Sequence, residues 1–365
     1  MWIYILNVLL IILYNFVIKN KKIYVIVCSI QCFMLLALRS NLIGPDASYY
    51  YEGYKYISGL SFSDMVSRLN LFKACSLIYP LKFESGFVIM NWIVSHLGFS
   101  YHFFLVICAA INMTIFGKVI YKYSKIPWLS FVVFCTFGTY LYFFGILRQS
   151  LALCFFMLSF MYALEGKTKK SAIMYFITFL FHRVSIVLVP ILFLVNSKTK
   201  ISKRNTIILV FTSIPFIFVS KYLITFVQSV VNYFNGGSYV GGNFGVNKLL
   251  LFLYVVAIII IIFINFKKHE DDKLFNILVW ILIISIFLDI MGQYNEVWER
   301  SVQLYTSFLI LLIPYVVYQY RKQKGIILVS LIIVLLLIGY MCYYLKGYYI
   351  IPYEIQKNEL IFPYK

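Results

Sequence analysis

The chain is 365 residues long, and 62% of these residues are hydrophobic while only 12% are charged. A soluble domain is roughly half apolar and about a quarter charged, so this composition excludes a large water-soluble catalytic domain. The formal net charge is +19, but the basic residues lie in short clusters between apolar runs. No basic domain for a nucleic-acid partner is therefore expected. The composition predicts a single membrane-embedded domain over residues 1–365.

Apolar runs of roughly 20 residues, enough to cross the hydrocarbon core as a helix, recur along the chain. They lie at about 2–18, 23–39, 101–120, 128–145, 147–164, 205–223, 248–266, 274–292, 301–318 and 326–345. Two further stretches are irregular, because 84–98 is short and 171–195 is broken at its centre by His182-Arg183. The pattern predicts an all-α polytopic membrane protein with about 10–12 transmembrane segments plus re-entrant segments.

Lysine clusters set the expected orientation, because cytoplasmic loops carry an excess of Lys and Arg. These clusters lie at 19–22, 165–170, 196–204, 267–273 and 320–325. The outer face then receives the loops 39–83, 224–247 and 293–300 and the tail 346–365. Residues 39–83 and Arg148 are both expected at the outer face, so an even number of membrane crossings must join them. Three apolar runs lie between them. The shortest, 84–98, is therefore predicted to re-enter from the outer face. Interleaved polar residues predict an amphipathic helix on the outer leaflet over 60–77.

Arginine is distributed differently from lysine. Five of the seven Arg residues fall at or near the expected outer face: Arg39, Arg68, Arg148, Arg183 and Arg300. Positive charge there opposes the topology rule and needs a separate reason. The guanidinium fork suits bidentate recognition of phosphate, so Arg148 and Arg300 are candidate diphosphate ligands. For Arg68, on the amphipathic segment, simple snorkelling to the interface is favoured.

His182 interrupts an apolar stretch beside Arg183. An imidazole can accept a proton near neutral pH, so His182 is a candidate general base. The alternative interpretation is a structural histidine that bonds a backbone carbonyl freed at the helix break.

The few carboxylates give two further candidate proton acceptors, Asp46 after Gly44-Pro45 and Glu84 at the start of the re-entrant run. Helix capping is the alternative role for Glu84, and equally for Glu299 in the last outer loop. No carboxylate pair has metal-ligand spacing and no CxxC motif occurs. Neither a metal site nor a cofactor is therefore predicted.

Several short motifs occur in a fixed order over residues 39 to about 353. They are Arg39, Gly44-Pro45-Asp46, Tyr49-Tyr50, Phe83-Glu84-Ser85-Gly86-Phe87, Gly145 to Ala152, Phe181 to Ser185, Trp298-Glu299-Arg300-Ser301 and Pro352-Tyr353. Their order and spacing together resemble the bacterial EpsG-like and Wzy-type polysaccharide (O-antigen) polymerases.

The resemblance implies a polytopic membrane glycosyltransferase with a GT-C-like helical bundle. Donor and acceptor would be glycans on undecaprenyl diphosphate, joined at the periplasmic face of the bacterial inner membrane by transfer to the non-reducing end of the incoming unit. A chain-length regulator protein and membrane lipid would be further partners. Together with the residue analysis, the resemblance assigns catalytic roles to His182, Asp46 and Glu84, diphosphate contacts to Arg39, Arg148, Arg183 and Arg300, and substrate contacts to Glu299 and Gln149.

Three other functions stay open at this point. An O-antigen ligase-type transferase would use similar Arg and His residues and a large outer loop, so the sequence separates it poorly. A lipid-linked glycan transporter, or flippase, usually shows internal repeats, and none stands out here. A membrane acyltransferase would need a histidine in a polar motif that faces the cytoplasm, whereas His182 is expected to face outward.

Overall fold

The computed structural model is predominantly helical and describes residues 1–71, 75–76, 82–197, 200–235, 248–269, 271–294, 296–322, 326–347 and 350–357. The helices are α1 (Trp2–Val17), α2 (Lys21–Ala37), α3 (Ala47–Ser58), α4 (Phe62–Arg68), α5 (Ser85–His96), α6 (Tyr101–Tyr123), α7 (Pro127–Thr136), α8 (Thr139–Gly145), α9 (Leu147–Leu164), α10 (Thr168–Phe181), α11 (Val189–Asn196), α12 (Lys203–Asn235), α13 (Lys248–Phe263), α14 (Lys273–Gly292), α15 (Glu296–Thr306), α16 (Leu309–Gln319) and α17 (Ile326–Gly347). Two 3-10 helices cover Arg183–Leu188 and Phe266–His269.

Among the described residues, five helical segments are long and apolar enough to cross a membrane: Tyr101–Tyr123, Leu147–Leu164, Lys203–Thr225, Lys273–Gly292 and Val297–Gln319. The helices α7 and α8, bent by 47° at their junction, together form a sixth candidate. Shorter apolar helices cover Trp2–Val17, Arg183–Asn196, Lys248–Ile262 and Ser330–Leu345. The prediction of an all-α polytopic membrane protein is confirmed.

Two local expectations are wrong. The apolar run 128–145 is not one helix, because Gly138 adopts φ +101° and separates α7 from α8. The amphipathic helix expected over 60–77 is only α4, because Leu69 is extended and the chain forms a small antiparallel ribbon of β1 (Cys75–Ser76) and β2 (Lys82–Phe83). In both cases a backbone conformation ends the helix although the side-chain pattern continues.

The short and broken segments match their predictions more closely. The stretch 171–195 is interrupted after Phe181, where α10 ends and the 3-10 helix begins at Arg183. The helix α5 has 12 residues, which reach only about 18 Å at 1.5 Å per residue. That is short of the roughly 30 Å hydrocarbon core, so the length of α5 agrees with re-entry. The re-entry of 84–98 itself stays a prediction.

The chain divides into two compact units, one of residues 1–186 with 327–365 and the other of residues 187–326. In the first unit, α6 packs on α2 and α9, and α9 packs on α10. In the second unit, α14 packs on α12, α13 and α15. The expected single membrane-embedded domain over 1–365 stays a prediction.

The first unit has an aromatic core that joins α3 and β2 to α5 and α6. Tyr50 of α3, Phe83 of β2 and Phe87 of α5 are buried together with Phe104 of α6. The Tyr50 and Phe83 rings stack with centroids 5.7 Å apart. This core holds the start of α5 beside α3, and so fixes the position of Glu84, which lies between Phe83 and α5.

Candidate functional site

Arg148 and Glu84 form an ion pair at the centre of the first unit's candidate site. Nη1 of Arg148 lies 2.7 Å from Oε2 of Glu84, and the two side chains are 16% and 7% exposed. Glu84 is the residue before α5, yet its side chain makes no capping hydrogen bond. The capping interpretation of Glu84 is therefore wrong, and its carboxylate serves the ion pair instead.

The other carboxylate oxygen of Glu84 faces the break after α10. Nδ1 of His182 lies 3.4 Å from Oε1 of Glu84, and the backbone N–H of Arg183 donates to the same oxygen at 3.5 Å. The His182 side chain is only 5% exposed. One carboxylate thus lies between a guanidinium and an imidazole, in a site where little water competes for either contact.

Close backbone approach brings these residues together. A Cβ on Gly86, in the first turn of α5, would lie 2.9 Å from the carbonyl oxygen of Leu180 near the end of α10. The absence of a side chain at Gly86 therefore allows Glu84 to reach His182. A similar contact lies before α9, where a Cβ on Gly145 would collide with the ring of Pro45. The Gly44-Pro45 turn thus packs directly on the segment that precedes Arg148.

The guanidinium of Arg148 is held from several sides. Its Nη1 also donates to the carbonyl oxygen of Lys82 at 3.2 Å, and its Nε donates to the hydroxyl of Tyr50 at 3.5 Å. The group lies 5.4 Å from the centroid of the Phe83 ring, in cation–π range. Within the described residues, no hydrogen bond uses the second terminal nitrogen, Nη2. Arg148 is thus fixed by one arm of its fork, and the other arm is available to an anion.

The carboxyl of Glu84 is ionised at all physiological pH values. Burial alone would raise its pKa, but the contact with His182 and the charge of Arg148 outweigh burial and lower the pKa to about 2. A carboxylate with so low a pKa has no proton to donate near neutral pH and is a weaker base than an imidazole. The electrostatics therefore suit Glu84 to orient Arg148 and His182.

Arg39 is placed differently from Arg148. It follows α2, is buried, and donates from Nη1 to the carbonyl oxygen of Phe143 at 2.8 Å. Phe143 lies in the last turn of α8, where the helix dipole favours a positive charge. A backbone bridge to Ile355 also joins Arg39 to the C-terminal segment. Arg39 thus connects α8 to the C-terminal segment, and no described residue forms an ion pair with it.

Asp46 and Gln149 lie next to the site in the first unit. Asp46 precedes α3 and is partly buried, and its charge acts on Tyr50, which contacts Arg148. Gln149 follows Arg148 on α9 and is buried. Glu299 and Arg300 lie on α15, in the second unit. The first unit therefore brings together Glu84, Arg148, His182 and Arg183, with Asp46 and Gln149 beside them.

Two partners of Arg148, the Tyr50 hydroxyl and the Lys82 carbonyl, were not expected from the sequence. Tyr50 stood in a motif, but no role could be assigned to one of 32 tyrosines. A backbone carbonyl leaves no signal in a sequence. No group of three or more His, Cys, Asp or Glu side chains in the described ranges could hold a metal ion.

Comparison with known proteins gives one clear match. The sequence model of the EpsG family covers residues 22–364, which is nearly the whole chain. No curated protein and no solved structure matches significantly. The matched region includes every residue of the site described above, and the chain belongs to the EpsG family.

Proposed function

We propose that this protein is a polysaccharide polymerase that joins repeat units carried on a lipid diphosphate, of the undecaprenyl type, by glycosyl transfer. Membership of the EpsG family supports a polymerase-type glycosyltransferase. The observation that carries the proposal is the contact of Glu84 with both Arg148 and His182. It places an anion-binding guanidinium and a potential base beside one another in a buried site.

Arg148 binds the donor diphosphate in this mechanism. Its Nη1 is held by Glu84 and Lys82, so its Nη2 can donate to a phosphate oxygen without reorganising the side chain. As the bond between the anomeric carbon and the diphosphate breaks, negative charge grows on the leaving oxygen. A preorganised guanidinium stabilises that charge more in this poorly hydrated site than it would in water.

His182 accepts the proton of the acceptor hydroxyl. We assign the imidazole proton to Nδ1, which lies 3.4 Å from Oε1 of Glu84, so the basic nitrogen is Nε2. The acceptor oxygen bonds to the anomeric carbon, its proton passes to Nε2, and the lipid diphosphate leaves with the electron pair of the broken bond. Glu84 orients the base, the part that the third member of a catalytic triad plays. Asp46 is the reserve candidate for the base.

Arg183, Arg39, Gln149, Glu299 and Arg300 complete the proposed substrate contacts. Arg183 follows His182 directly, so its side chain starts at the edge of the site. Gln149 follows Arg148 on α9, and Glu299 and Arg300 lie on α15 of the second unit. In the first unit, Arg183, Arg39 and Gln149 would bind the second phosphate and the sugars of the repeat units, and the substrate contacts expected of Glu299 and Arg300 stay a prediction.

The reaction is proposed for the periplasmic face of the bacterial inner membrane, where finished repeat units would be polymerised. In the first unit, Arg148 starts α9 while Glu165, after the end of α9, contacts Lys122 and Lys167. The Lys-rich end is the one expected in the cytoplasm, so Arg148 lies at the outer end. A membrane-impermeant thiol reagent tests this orientation in intact cells: Cys at position 46 should react and Cys at 269 should not, and the reverse pattern would refute it.

Deletion of the gene tests the function itself. A strain without a polymerase should lose the polymer ladder of its surface polysaccharide on a gel and retain a single capped repeat unit. Expression of the intact protein should restore the ladder. Full-length polymer that is made but not attached would instead indicate a ligase, and an unchanged ladder would contradict the proposal.

A further inference from the structure

A groove runs along the surface of the first unit between α2 and α6. Its volume is about 490 Å³, and its walls include Val25, Ile26 and Ile30 of α2 and Met113 of α6. Ile26 and Ile30 are 46% and 55% exposed. The groove is therefore an open apolar channel, of the kind that faces hydrocarbon in a membrane protein.

One end of this groove is positively charged. Lys22, in the first turn of α2, and Lys118, near the end of α6, line the same groove. The ends of the two helices meet there, since Nζ of Lys21 donates to the carbonyl oxygen of Ser124 at 3.1 Å. Lys22 and Lys118 are exposed, and neither forms an ion pair with a described residue. Two cations thus stand at the mouth of an apolar channel, and no described residue provides a counter-ion for them.

The length of the groove matches one leaflet. From Lys22 to Phe33, which also lines it, α2 rises about 16 Å at 1.5 Å per residue. The hydrocarbon core of a bilayer is about 30 Å thick, so the channel spans about half of it. An acyl chain whose headgroup lies at the Lys22 and Lys118 end would fill the groove and stop near the bilayer centre.

Ser29 adds one polar atom to the channel. Its Oγ is buried and has no hydrogen-bond partner in the described part of the chain. Gly117 lies opposite, and a Cβ there would stand 2.6 Å from this oxygen. The wall of the groove thus includes a hydroxyl at Ser29, as it does at Thr114, and is otherwise apolar away from the lysines.

The charged end of the groove lies at the opposite end of the helices from the Arg148 site. Arg148 is in the first turn of α9, and Lys122, one turn beyond Lys118 on α6, contacts Glu165 just after α9 ends. The 18 residues of α9 rise about 27 Å. A lipid in this groove therefore belongs to the other leaflet and is not the lipid diphosphate of the proposed reaction.

We propose that the α2/α6 groove binds an anionic phospholipid from the leaflet at its Lys end, with the phosphate between Lys22 and Lys118 and one acyl chain along the channel. That leaflet is the cytoplasmic one under the positive-inside rule, and it carries anionic lipid. The charge of the two lysines gives the preference for an anionic headgroup, and the apolar walls give the affinity for the chain.

Native mass spectrometry of the purified full-length protein tests the site without depending on polymerase activity. The protein is titrated with phosphatidylglycerol and with phosphatidylcholine of the same acyl chains. The wild type should bind one phosphatidylglycerol at least about tenfold more tightly than phosphatidylcholine. Each Lys beside a net anionic headgroup contributes about fivefold, whereas the choline cation of phosphatidylcholine offsets the charge of its phosphate. Equal binding of the two lipids would overturn the proposal.

Three variants locate the binding. Lys22→Glu with Lys118→Glu should abolish the preference for phosphatidylglycerol. Lys22→Gln with Lys118→Gln is the milder pair for use if the charge reversal prevents folding, and it should reduce the preference. Lys169→Glu with Lys170→Glu, an equal charge change at exposed residues on the same side, should keep it. Ala110→Trp, which fills the channel from an exposed lining position, should weaken binding of both lipids. A retained preference in both Lys22/Lys118 variants, or unchanged binding in Ala110→Trp, would refute the site.

Discussion

Arg148 and Glu84 lie 64 positions apart in the chain, yet Nη1 of one donates to Oε2 of the other at 2.7 Å. The pair joins the start of α9 to the start of α5, and the second carboxylate oxygen of Glu84 extends the contact to His182. Removing a buried pair's partner leaves an uncompensated charge, which is strongly destabilising. The arrangement therefore makes the positions of the Arg148 and His182 side chains depend on one carboxylate.

Arg148→Lys should reduce polymer synthesis about tenfold or more while the protein level stays normal. Lysine keeps the charge but lacks the planar fork, so it cannot hold Glu84 and a phosphate at the same time. A hydrogen bond to a charged group contributes roughly 1.5–3 kcal/mol, which corresponds to that loss. The polymer ladder of a complemented deletion strain measures the effect, with Arg204→Lys, at an exposed position, as the matched control. A normal ladder for Arg148→Lys would remove Arg148 from the site.

His182→Gln should abolish the ladder, because an amide cannot accept a proton near neutral pH. Positioned base catalysis contributes typically about 10²–10⁴-fold. His96→Gln is the control, because His96 is exposed and stacks on Trp92. If His182→Gln polymerises normally, the histidine is structural and Asp46 becomes the candidate base.

The Glu84 ion pair predicts a specific dependence of stability on pH. The folded-state pKa of Glu84 is depressed from 4.5 to about 2, so its contribution to the free energy of unfolding is full above the unfolded-state pKa. It is lost progressively as the pH falls from about 4.5 through about 2. Unfolding of the purified protein in detergent, followed by circular dichroism against pH, measures it.

Glu84→Gln is the control for this pH dependence. The variant should be less stable than the wild type at pH 7, and its stability should fall less steeply below pH 4.5, because the group that titrates has gone. Equal slopes in the two proteins would show that the carboxylate does not gain stability from its contacts.

Gly145→Ala should destabilise the first unit and reduce activity. The added Cβ collides with the Pro45 ring, so the Gly44-Pro45 turn must move away from the segment before Arg148. Overpacking of this kind costs about 1–3 kcal/mol. Thermal unfolding measures the loss against Gly339→Ala, where a Cβ meets no atom within 4 Å. Equal effects of the two substitutions would contradict the close contact.

The residues of the site could be found from the sequence, but their contacts could not. His182, Arg148 and Glu84 stand out because ionisable groups inside apolar runs are costly and so suggest a role. Which groups pair depends on the close approach of α5 to α10, where Gly86 contacts Leu180, a residue far away in the sequence. The pattern therefore offered Glu84 as a base or a cap, whereas the structure makes it the partner of Arg148.

The secondary structure was likewise predictable from the sequence only in part. Long apolar runs such as 101–120 and 147–164 were predicted well, because hydrophobicity over many residues is a strong signal. The break at Gly138 and the extended Leu69 were missed, because each depends on one residue's backbone conformation. The stacking of Tyr50 on Phe83 could not be predicted either, because a chain that is 20% aromatic offers many possible ring pairs.

The central claim is that the protein transfers a glycan from a lipid diphosphate to a second lipid-linked unit, and one reconstituted assay tests it directly. The purified full-length protein is placed in phospholipid vesicles with a lipid-diphosphate-linked repeat unit, and polymer and released lipid diphosphate are quantified together. We predict that the wild type forms polymer and releases one lipid diphosphate for each new linkage. Release without polymer, or no consumption of the substrate by well-folded protein, would contradict the account.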